Sequence, residues 1–406
     1  MIRFHNMKTN NNIPQGYKNS PLGIIPQEWE VKKLGDVAES FSGGTPKAGN
    51  NEYYGGNIPF IRSGEIHQKN TALFLSELGL AESSAKIVEK GDLLIALYGA
   101  NSGDSAISQI NGAINQAILC IRPYNLLTSF LCSFLELKKN MYVAKYLQGG
   151  QGNLSGDIVN NYIIPIPPLP EQQKIAEVLG TWDKAIEKQT QLIEKLELRK
   201  KGLMKQLLTE KKRLPGFSGE WKRVKAGLLF GSSSIRSNKL EPLLSVTQDK
   251  GVVPRDMLET RVTMPDGDLS SFKLVDVGDF VISLRSFEGG LEYSKYRGIV
   301  SPAYTVLKKK TDISDVFYKV YFKSNDFIQR LAVAVIGIRD GKQISYSDFC
   351  YIKIPYPSLQ EQNAIANVFV SCDSEILLAK QKLNRFQQQK KGLMQVLLTG
   401  KKRVTQ

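Results

Sequence analysis

The stretch "KKGLMKQLLTEKKR", at residues 200–213, returns almost unchanged as "KKGLMQVLLTGKKR", at residues 390–403. Eleven of the fourteen positions are identical, and the two copies lie 190 residues apart in a chain of 406 residues. Basic residues are favourable at the C-terminus of a helix, where the helix dipole leaves a partial negative charge. The repetition predicts an internal duplication in which the same helix end is used twice.

The match continues N-terminal to these stretches, where residues 163–189 align without a gap on residues 353–379. Identical pairs at this offset include Pro165 with Pro355, Pro167 with Pro357, Leu169 with Leu359, Glu171 with Glu361, Gln172 with Gln362 and Asp183 with Asp373. The duplication is therefore much longer than the basic stretch, and it covers a whole helical segment.

Two further pairs of segments resemble each other at the N-terminal side of each repeat. "GDLLIAL" at residues 91–97 resembles "GDFVISL" at 278–284, and "EWEVKKLGD" at 28–36 resembles "EWKRVKAGL" at 220–228. A short apolar run introduced by a turn predicts a buried strand. Each repeat is therefore expected to be a globular part followed by a long helix.

Each helical segment has a spacing of four and three, the pattern of a coiled-coil seam, in which apolar residues fill all positions except those of Gln189, Lys200 and Lys390. In the first segment the apolar residues are Ile175, Leu179, Trp182, Ile186, Ile193, Leu196, Leu203 and Leu207. In the second they are Ile365, Phe369, Cys372, Ile376, Ala379, Leu383, Phe386, Leu393 and Leu397. The prolines before both patterns predict where each helix begins, because proline is tolerated only before or within the first turn.

Helices of about 38 residues would each span about 57 Å at 1.5 Å per residue. We expect them to pair antiparallel within the chain, and pairing between two chains is the alternative. The predicted fold class is α+β, with two α/β globular parts joined by two long antiparallel coiled-coil helices and an internal pseudo-two-fold repeat. The predicted segments are a lead-in at residues 1–24, globular parts at 25–167 and 214–357, and spacer helices at 168–213 and 358–406.

The net charge of +15 favours an anionic partner, with nucleic acid as the leading candidate. The charge is unevenly distributed. Residues 25–167 hold eleven basic and thirteen acidic residues, whereas residues 214–356 hold twenty-one basic and sixteen acidic ones. Phosphate contacts in the first globular part are therefore expected from a local patch around Lys47, Arg62 and Lys69, with the rest supplied by a partner.

The sequence offers little chemistry of its own. Four cysteines without a CxxC pair and only two histidines make a zinc site or a histidine-based triad hard to build. Neither a GxxxxGK[ST] phosphate loop nor the Asn/Asp-Pro-Pro-aromatic tetrapeptide of adenine methyltransferases occurs. We expect no catalytic residue, no metal and no cofactor in this chain, and we expect a cytoplasmic protein with reduced thiols and no membrane segment.

Polar, glycine-rich loops in both globular parts carry isolated basic, amide and hydroxyl side chains. Arg and Lys bind guanine edges, Asn and Gln pair with adenine, and Ser and Thr bind bases or phosphates. The candidate DNA contacts are Thr45, Lys47, Arg62, Ser63, Lys69, Gln151, Asn153, Arg236, Lys239, Arg285, Lys295, Arg339, Lys342 and Gln343. Because the two globular parts differ in sequence, the expected target is a split, asymmetric site in double-stranded DNA.

Several motifs together resemble a known family. They are "GYKNSPLGIIPQEWEVKKLGDV" at 16–37, "SGGTPK" at 42–47, "IPIPPLPEQQKIAEVL" at 164–179, "LPGFSGEW" at 214–221 and the two basic helix ends. In this order they strongly resemble the specificity (S) subunit of Type I restriction–modification systems, over the whole chain from about residue 16. The second globular part lacks the "GGTPK" motif, so its loops are less securely matched.

The resemblance implies two target-recognition domains and a non-catalytic subunit whose helices dock two modification (methyltransferase) subunits, with two restriction (translocase and nuclease) subunits as further partners. It places S-adenosylmethionine, ATP and Mg on those partners. The implied docking residues are Glu171, Gln172, Ile175, Leu179, Trp182, Leu196, Leu203, Leu207, Glu361, Gln362, Ile365, Phe369, Leu383, Leu393 and Leu397. The alternatives are a methylation-only or other-class system, a coiled-coil scaffold without DNA contact, and a self-sufficient enzyme.

Overall fold

The computed structural model describes residues 13–147, 153–236, 241–258, 269–283, 286–335 and 344–404. The chain forms two compact units. Unit 1 comprises residues 1–189 and 382–406, and unit 2 comprises residues 190–381. Each unit therefore takes a globular part together with a piece of both long helices. The five segments predicted from the sequence follow the repeat instead, and they stay a prediction of functional domains.

The helices differ greatly in length, and two of them have 39 residues each. They are α1 (Glu77–Ala81), α2 (Thr128–Leu147), α3 (Gly156–Asn160), α4 (Leu169–Leu207), α5 (Ala226–Leu229), α6 (Ser286–Gly289), α7 (Asp315–Tyr321), α8 (Asn325–Val335), α9 (Tyr346–Tyr351) and α10 (Leu359–Leu397). Helix α4 begins at Leu169, directly after Pro168, and helix α10 begins at Leu359, two residues after Pro357, so the prolines predicted both helix starts correctly.

Unit 1 contains short strands arranged in several small sheets. They are β1 (Tyr17–Ser20), β2 (Gly23–Pro26), β3 (Glu30–Lys33), β4 (Ala38–Ser42), β5 (Tyr54–Ile61), β6 (Leu73–Leu75), β7 (Lys86–Val88), β8 (Leu93–Ala96), β9 (Ser105–Ile107), β10 (Gly112–Ile114), β11 (Ile118–Pro123) and β12 (Ile163–Ile166). The two larger sheets have the orders β6-β5-β10-β7 and β4-β11-β8-β9. In the second of these, Cys120 lies opposite Phe41 on one side and Leu94 on the other.

Unit 2 repeats part of this arrangement. Its strands are β13 (Lys222–Lys225), β14 (Phe230–Ser233), β15 (Leu244–Thr247), β16 (Gly251–Pro254), β17 (Lys273–Val275), β18 (Phe280–Ile282), β19 (Glu292–Tyr293), β20 (Gly298–Val300), β21 (Thr305–Lys309) and β22 (Lys353–Tyr356). Its four-stranded sheet has the order β14-β21-β18-β19, which matches β4-β11-β8-β9 strand for strand. The duplication is thus visible in the topology of each unit.

The two pairs of similar segments fall at equivalent places in the units. The "GDLLIAL" and "GDFVISL" runs form β8 and β18, and every residue of both strands is buried, which confirms the predicted buried strands. The strand after each "EW" pairs antiparallel with the strand that leads into a long helix, as β3 with β12 and as β13 with β22. The similar "EW" segments therefore exist because they position the start of α4 and of α10.

Both long helices contribute to the hydrophobic cores of the units. In unit 1, Ile175 and Leu179 from α4 and Leu397 from α10 are buried in a core with the aromatic residues of α2. In unit 2, Leu207 from α4 and Ile365 and Phe369 from α10 are buried in the corresponding core with α7. The apolar spacing at the helix ends therefore serves packing onto a globular part as well as helix pairing.

Candidate nucleic-acid interface and its helical anchors

The first turn of α4 carries a buried carboxylate that ties three parts of unit 1 together. Glu171 is 7% exposed, and its Oε2 accepts a hydrogen bond of 2.9 Å from Trp29 Nε1. Arg403, just after α10, donates to the same carboxylate through Nε at 2.6 Å and Nη2 at 2.9 Å. This contact raises the pKa of the Arg403 guanidinium further above its usual value. A bidentate arginine–carboxylate pair is geometrically specific, so it fixes the helix end on the globular part.

Unit 2 builds the same anchor from the equivalent residues. Glu361 is 2% exposed and accepts a hydrogen bond of 3.0 Å from Trp221 Nε1. Arg213, after α4, donates to its two oxygens through Nε at 2.6 Å and Nη2 at 2.7 Å. In each unit the glutamate starts one long helix and the arginine follows the other. The repeated stretches at residues 200–213 and 390–403 therefore both end in an arginine that completes this contact.

The glutamine after each anchoring glutamate hydrogen-bonds to backbone groups that are buried or partly buried. Gln172 accepts a hydrogen bond of 2.8 Å from the backbone N–H of Leu127, and Gln362 accepts one of 2.9 Å from that of Ser314. Each glutamine also donates to the carbonyl of the proline five positions before it, at 2.8 and 2.9 Å. The repeated Glu-Gln pair therefore has a structural role, because buried polar groups need a partner.

These contacts correct the assignment of several residues to a docking surface. The residues buried within their own unit are Glu171, Gln172, Ile175, Leu179, Leu207, Glu361, Gln362, Ile365, Phe369 and Leu397. Because their side chains already fill a core or an anchor, a partner protein cannot contact them in this conformation. The remaining residues of that assignment are partly buried, namely Trp182, Leu196, Leu203, Leu383 and Leu393.

Side chains of α4 contact side chains of α10 in each unit, and in unit 2 the contacts run in opposite directions along the two helices. In unit 1 the rings of Trp182 and Phe386 meet edge to face at 5.7 Å, and Lys390 lies 2.7 Å from Asp183. In unit 2 Lys200 lies 2.5 Å from Asp373. A second pair in that unit joins Lys380 to Glu197 at 2.7 Å. The lysines Lys200 and Lys390 of the repeated stretch thus hold equivalent aspartates.

The candidate DNA contacts of unit 1 are only partly free. Thr45 donates a hydrogen bond of 2.6 Å to Gln116. Arg62 is bound to the buried carboxylate of Glu65 at 3.0 and 3.1 Å, and this hydrogen bonding lowers the pKa of Glu65. Lys69 lies 3.7 Å from Glu187. Of the three cations in the predicted patch, Lys47 alone has no carboxylate partner among the described residues.

The other candidates divide into exposed side chains and residues that the structure does not describe. Lys47 and Asn153 in unit 1 and Arg236 and Lys295 in unit 2 are exposed, and Ser63 is half-buried. The candidates that lie outside the described residues are Gln151, Lys239, Arg285, Arg339, Lys342 and Gln343. The DNA contacts therefore stay a prediction.

Sequence reasoning missed the tryptophans and arginines of the two anchors. A signal existed, because a Glu-Trp pair lies near the start of each globular part and Lys-Lys-Arg follows each long helix at the same register. Over the described part of the chain, no group of three or more His, Cys, Asp or Glu residues is placed to hold a metal ion. Within the same residues, no helix is long and apolar enough to cross a membrane.

Comparisons with known proteins give one family match over part of the chain and relatives over nearly its whole length. A family model described as "Type I restriction modification DNA specificity domain" matches residues 26–198. A putative type I restriction enzyme specificity subunit of Methanocaldococcus jannaschii, MjaX, is 27% identical over 433 residues, covering 96% of this chain and 97% of the relative.

Two solved structures share the fold over nearly the whole chain. One is the S subunit of a Type I restriction–modification system from M. genitalium, with a TM-score of 0.56 and 15% identity, covering 96% of this chain and 98% of that one. The other comes from work on complex assembly and conformational transition of the type I R-M system, with a TM-score of 0.60 and 16% identity, covering 93% and 99%. At these identities the likeness concerns the fold alone. The family match over residues 26–198 and the full-length relatives at 27% identity show that the chain is similar to the specificity subunits of Type I restriction–modification systems.

Proposed function

We propose that this chain selects the DNA site of a Type I complex, with each unit reading one half of a split, asymmetric sequence. The observation that carries the proposal is the repeated anchor. Glu171 and Glu361 hold two globular parts in equivalent frames, while the exposed loops of those parts differ in sequence and charge. Two unlike reading surfaces on one frame suit a target with two unlike halves. We propose further that the two long helices set the number of base pairs between the halves.

Within this proposal the exposed cations and amides make the first contacts with DNA. Lys47 in unit 1 and Arg236 in unit 2 are exposed, so either can reach a phosphate without breaking an ion pair seen among the described residues. Arg62 supports loop geometry instead, because its carboxylate partner Glu65 also accepts the backbone N–H groups of Arg62 and Ala72. Asn153 is the exposed amide of unit 1 that suits an adenine edge.

We propose that modification subunits dock on exposed apolar side chains of the long helices. In unit 2 these are Leu192 and Leu198 on α4 and Val370, Leu377 and Leu378 on α10, which are between 44% and 70% exposed. Exposed apolar patches commonly mark protein contacts. The chemistry would reside in the partners, with S-adenosylmethionine on the modification subunits and ATP and Mg on restriction subunits. A subunit with these partners acts where the DNA is, so we propose a cytoplasmic location.

The split site is tested by mapping methylated bases in the genome of a host that expresses this chain with its modification partner. We expect one asymmetric motif made of two short defined parts with a gap of fixed length. Exchange of residues 25–167 for those of a different specificity subunit should change one part and leave the other unchanged. A single continuous motif, or a change in both parts, would contradict the proposal.

The docking surface is tested by co-purification with the modification partner. Leu198→Asp combined with Leu378→Asp should abolish co-purification while leaving the thermal unfolding temperature of the chain unchanged. The matched control is Leu228→Asp, because Leu228 is 62% exposed on α5 and lies on neither long helix. Retained assembly with the double variant, or equal loss with the control, would place the docking surface elsewhere.

A further inference from the structure

Unit 2 contains a cavity of about 580 Å³ between its globular part and its portions of the two long helices. Seven lysines and four acidic residues line it, together with apolar side chains such as Leu291, Val320 and Ile376. The volume lies in the range of pockets that hold small organic molecules. Its many charged side chains are unusual for such a pocket, because small-molecule pockets are lined mostly by apolar residues.

Three of the lysines are already neutralised by carboxylates that line the same cavity. They are Lys200 with Asp373 at 2.5 Å, Lys323 with Glu292 at 2.6 Å, and Lys380 with Glu197 at 2.7 Å. The other four lysines of the lining are Lys201, Lys250, Lys295 and Lys319, and the one remaining acidic residue is Asp249. None of these four lies within 4 Å of a carboxylate of the described residues. The cavity therefore has a net positive charge of about three.

Lys319 is the most informative of the four. It is half-buried on α7, and its amine lies 5.5 Å from the centre of the Tyr293 ring. Burial lowers the pKa of Lys319, and the nearby cations Lys295 and Lys200 lower it further. A buried ammonium group without a carboxylate partner is costly, so a bound anion would relieve the cost.

The equivalent place in unit 1 has the opposite character. The helices α2 and α7 begin one residue after Leu127 and Ser314, whose N–H groups are held by the repeated glutamines, so Cys132 corresponds to Lys319. By the same register Glu136 corresponds to Lys323. In unit 1 Lys390 is held between Asp183 at 2.7 Å and Glu136 at 3.2 Å. The excess of positive charge is therefore a feature of unit 2, and it does not follow from the shared anchor.

We propose that this cavity binds a phosphate group, with Lys319 and Lys295 as its main cationic contacts. Lysine ammonium groups bind phosphate as compact point charges, and the apolar lining suits an attached organic group. The phosphate can belong to a free nucleotide or to the DNA backbone. The first source is independent of the function proposed above, whereas the second rests on it.

The test is calorimetric titration of the full-length chain with inorganic triphosphate at low salt. The wild-type chain should bind it, and Lys319→Gln and Lys295→Gln should each weaken binding roughly tenfold, because each removes a charge-assisted contact. Lys309→Gln is the matched control, because Lys309 is an exposed lysine on β21 of the same unit outside the cavity. Lys295 is exposed, so its variant keeps the test valid if Lys319→Gln does not fold.

Absence of triphosphate binding, or equal weakening by the cavity variants and by the control, would overturn the proposal. A short DNA duplex of random sequence is then added to the triphosphate-bound chain. If DNA displaces triphosphate from the wild-type chain but not from Lys319→Gln, the phosphate bound in the cavity belongs to DNA. Binding of triphosphate that persists beside bound DNA would assign it to a free nucleotide, and it would stand even if the split-site proposal failed.

Discussion

The anchors of the two units make the same contacts, but the turns that deliver their arginines differ. Gly400 in unit 1 and Glu210 in unit 2 are equivalent residues of the repeated stretch, and both have left-handed backbone conformations, with φ of +69° and +65°. Glycine adopts this conformation without cost, whereas other residues are strained by about 1–2 kcal/mol. The same left-handed position is thus occupied by glycine in unit 1 and by glutamate in unit 2.

The neighbours of the turn explain the difference. A Cβ atom on Gly400 would lie 2.3 Å from Cδ of Pro26, so a larger residue cannot fit there. When Trp29 is aligned with Trp221, Ser218 of unit 2 corresponds to Pro26 of unit 1. Unit 2 therefore has no proline ring beside this turn. Glu210 also gains a contact, since its carboxylate accepts a hydrogen bond of 2.7 Å from the backbone N–H of Trp221. Both units therefore keep the glutamate, tryptophan and arginine of the anchor. The residue at the turn differs, because its neighbours differ.

The largest effect is expected from removing either anchoring carboxylate. Glu361→Ala leaves the Trp221 indole and the Arg213 guanidinium without their shared partner, and breaking such a buried pair costs about 3–5 kcal/mol. Glu171→Ala should cost a similar amount, because each arginine keeps one further carboxylate, Arg403 with Glu28 at 2.8 Å and Arg213 with Glu210 at 3.4 Å. Amide hydrogen exchange gives the local unfolding free energy of each unit separately.

The control for both variants is Glu177→Ala, because Glu177 is an exposed glutamate on α4. It should change the free energy of unfolding by no more than about 0.5 kcal/mol. Equal losses from Glu361→Ala, Glu171→Ala and the control would mean that the two anchors do not hold the helices.

The next effect tests the explanation of the turns. Gly400→Ala should destabilise unit 1 by about 2 kcal/mol, from backbone strain together with the clash against Pro26. Pro26→Ser in the same chain should restore part of the loss by giving unit 1 the residue found at Ser218 in unit 2. The free energy of unfolding of the two single variants and the double variant forms a cycle. If the effects simply add, the proline ring is not the reason for the glycine.

These turns also show where sequence reasoning reached its limit. The repeat at an offset of 190 residues predicted both long helices, and the two similar apolar runs after a Gly-Asp pair predicted the buried strands β8 and β18, because periodicity, prolines and apolar runs report local structure directly. The same periodicity could not tell that Ile175 and Phe369 pack into globular cores, since spacing shows which helix face is apolar and not what covers it. The anchors join residues more than 130 positions apart, so they depend on the tertiary fold.

A smaller effect separates the units by pH. Asp92 and Asp279 follow the glycine of each "GD" pair. Burial alone would raise the pKa of Asp92, but hydrogen bonds of 3.0 and 2.7 Å from Arg122 hold it below its ordinary value. Burial raises the pKa of Asp279, and Lys308, at 3.0 Å, does not offset this rise, since it also pairs with Asp276.

The directions of these shifts fix the sign of the pH dependence. A depressed pKa adds stability above the unfolded value near 4, which is lost as the pH falls through the folded pKa. A raised pKa adds stability that is complete below the unfolded value and is lost as the pH rises through the folded pKa. Between pH 5 and pH 3, hydrogen exchange should show β8 of unit 1 weakening relative to β18 of unit 2. Asp92→Asn should remove the unit 1 trend; an unchanged trend would assign it to other groups.

The smallest expected effect comes from Glu210→Gly, which gives unit 2 the residue of unit 1. Relief of the left-handed strain should stabilise the turn by about 1 kcal/mol, while loss of the hydrogen bond to Trp221 should cost a similar amount. We therefore expect a change in unit 2 stability of less than about 0.5 kcal/mol, measured by hydrogen exchange. Glu210→Ala separates the two terms, because it keeps the strain and loses the hydrogen bond, and it should destabilise unit 2 by about 1 kcal/mol. If Glu210→Gly instead destabilised unit 2 as strongly as Glu210→Ala, the strain would be absent, and the glutamate would stabilise the turn only through its contacts with Trp221 and Arg213.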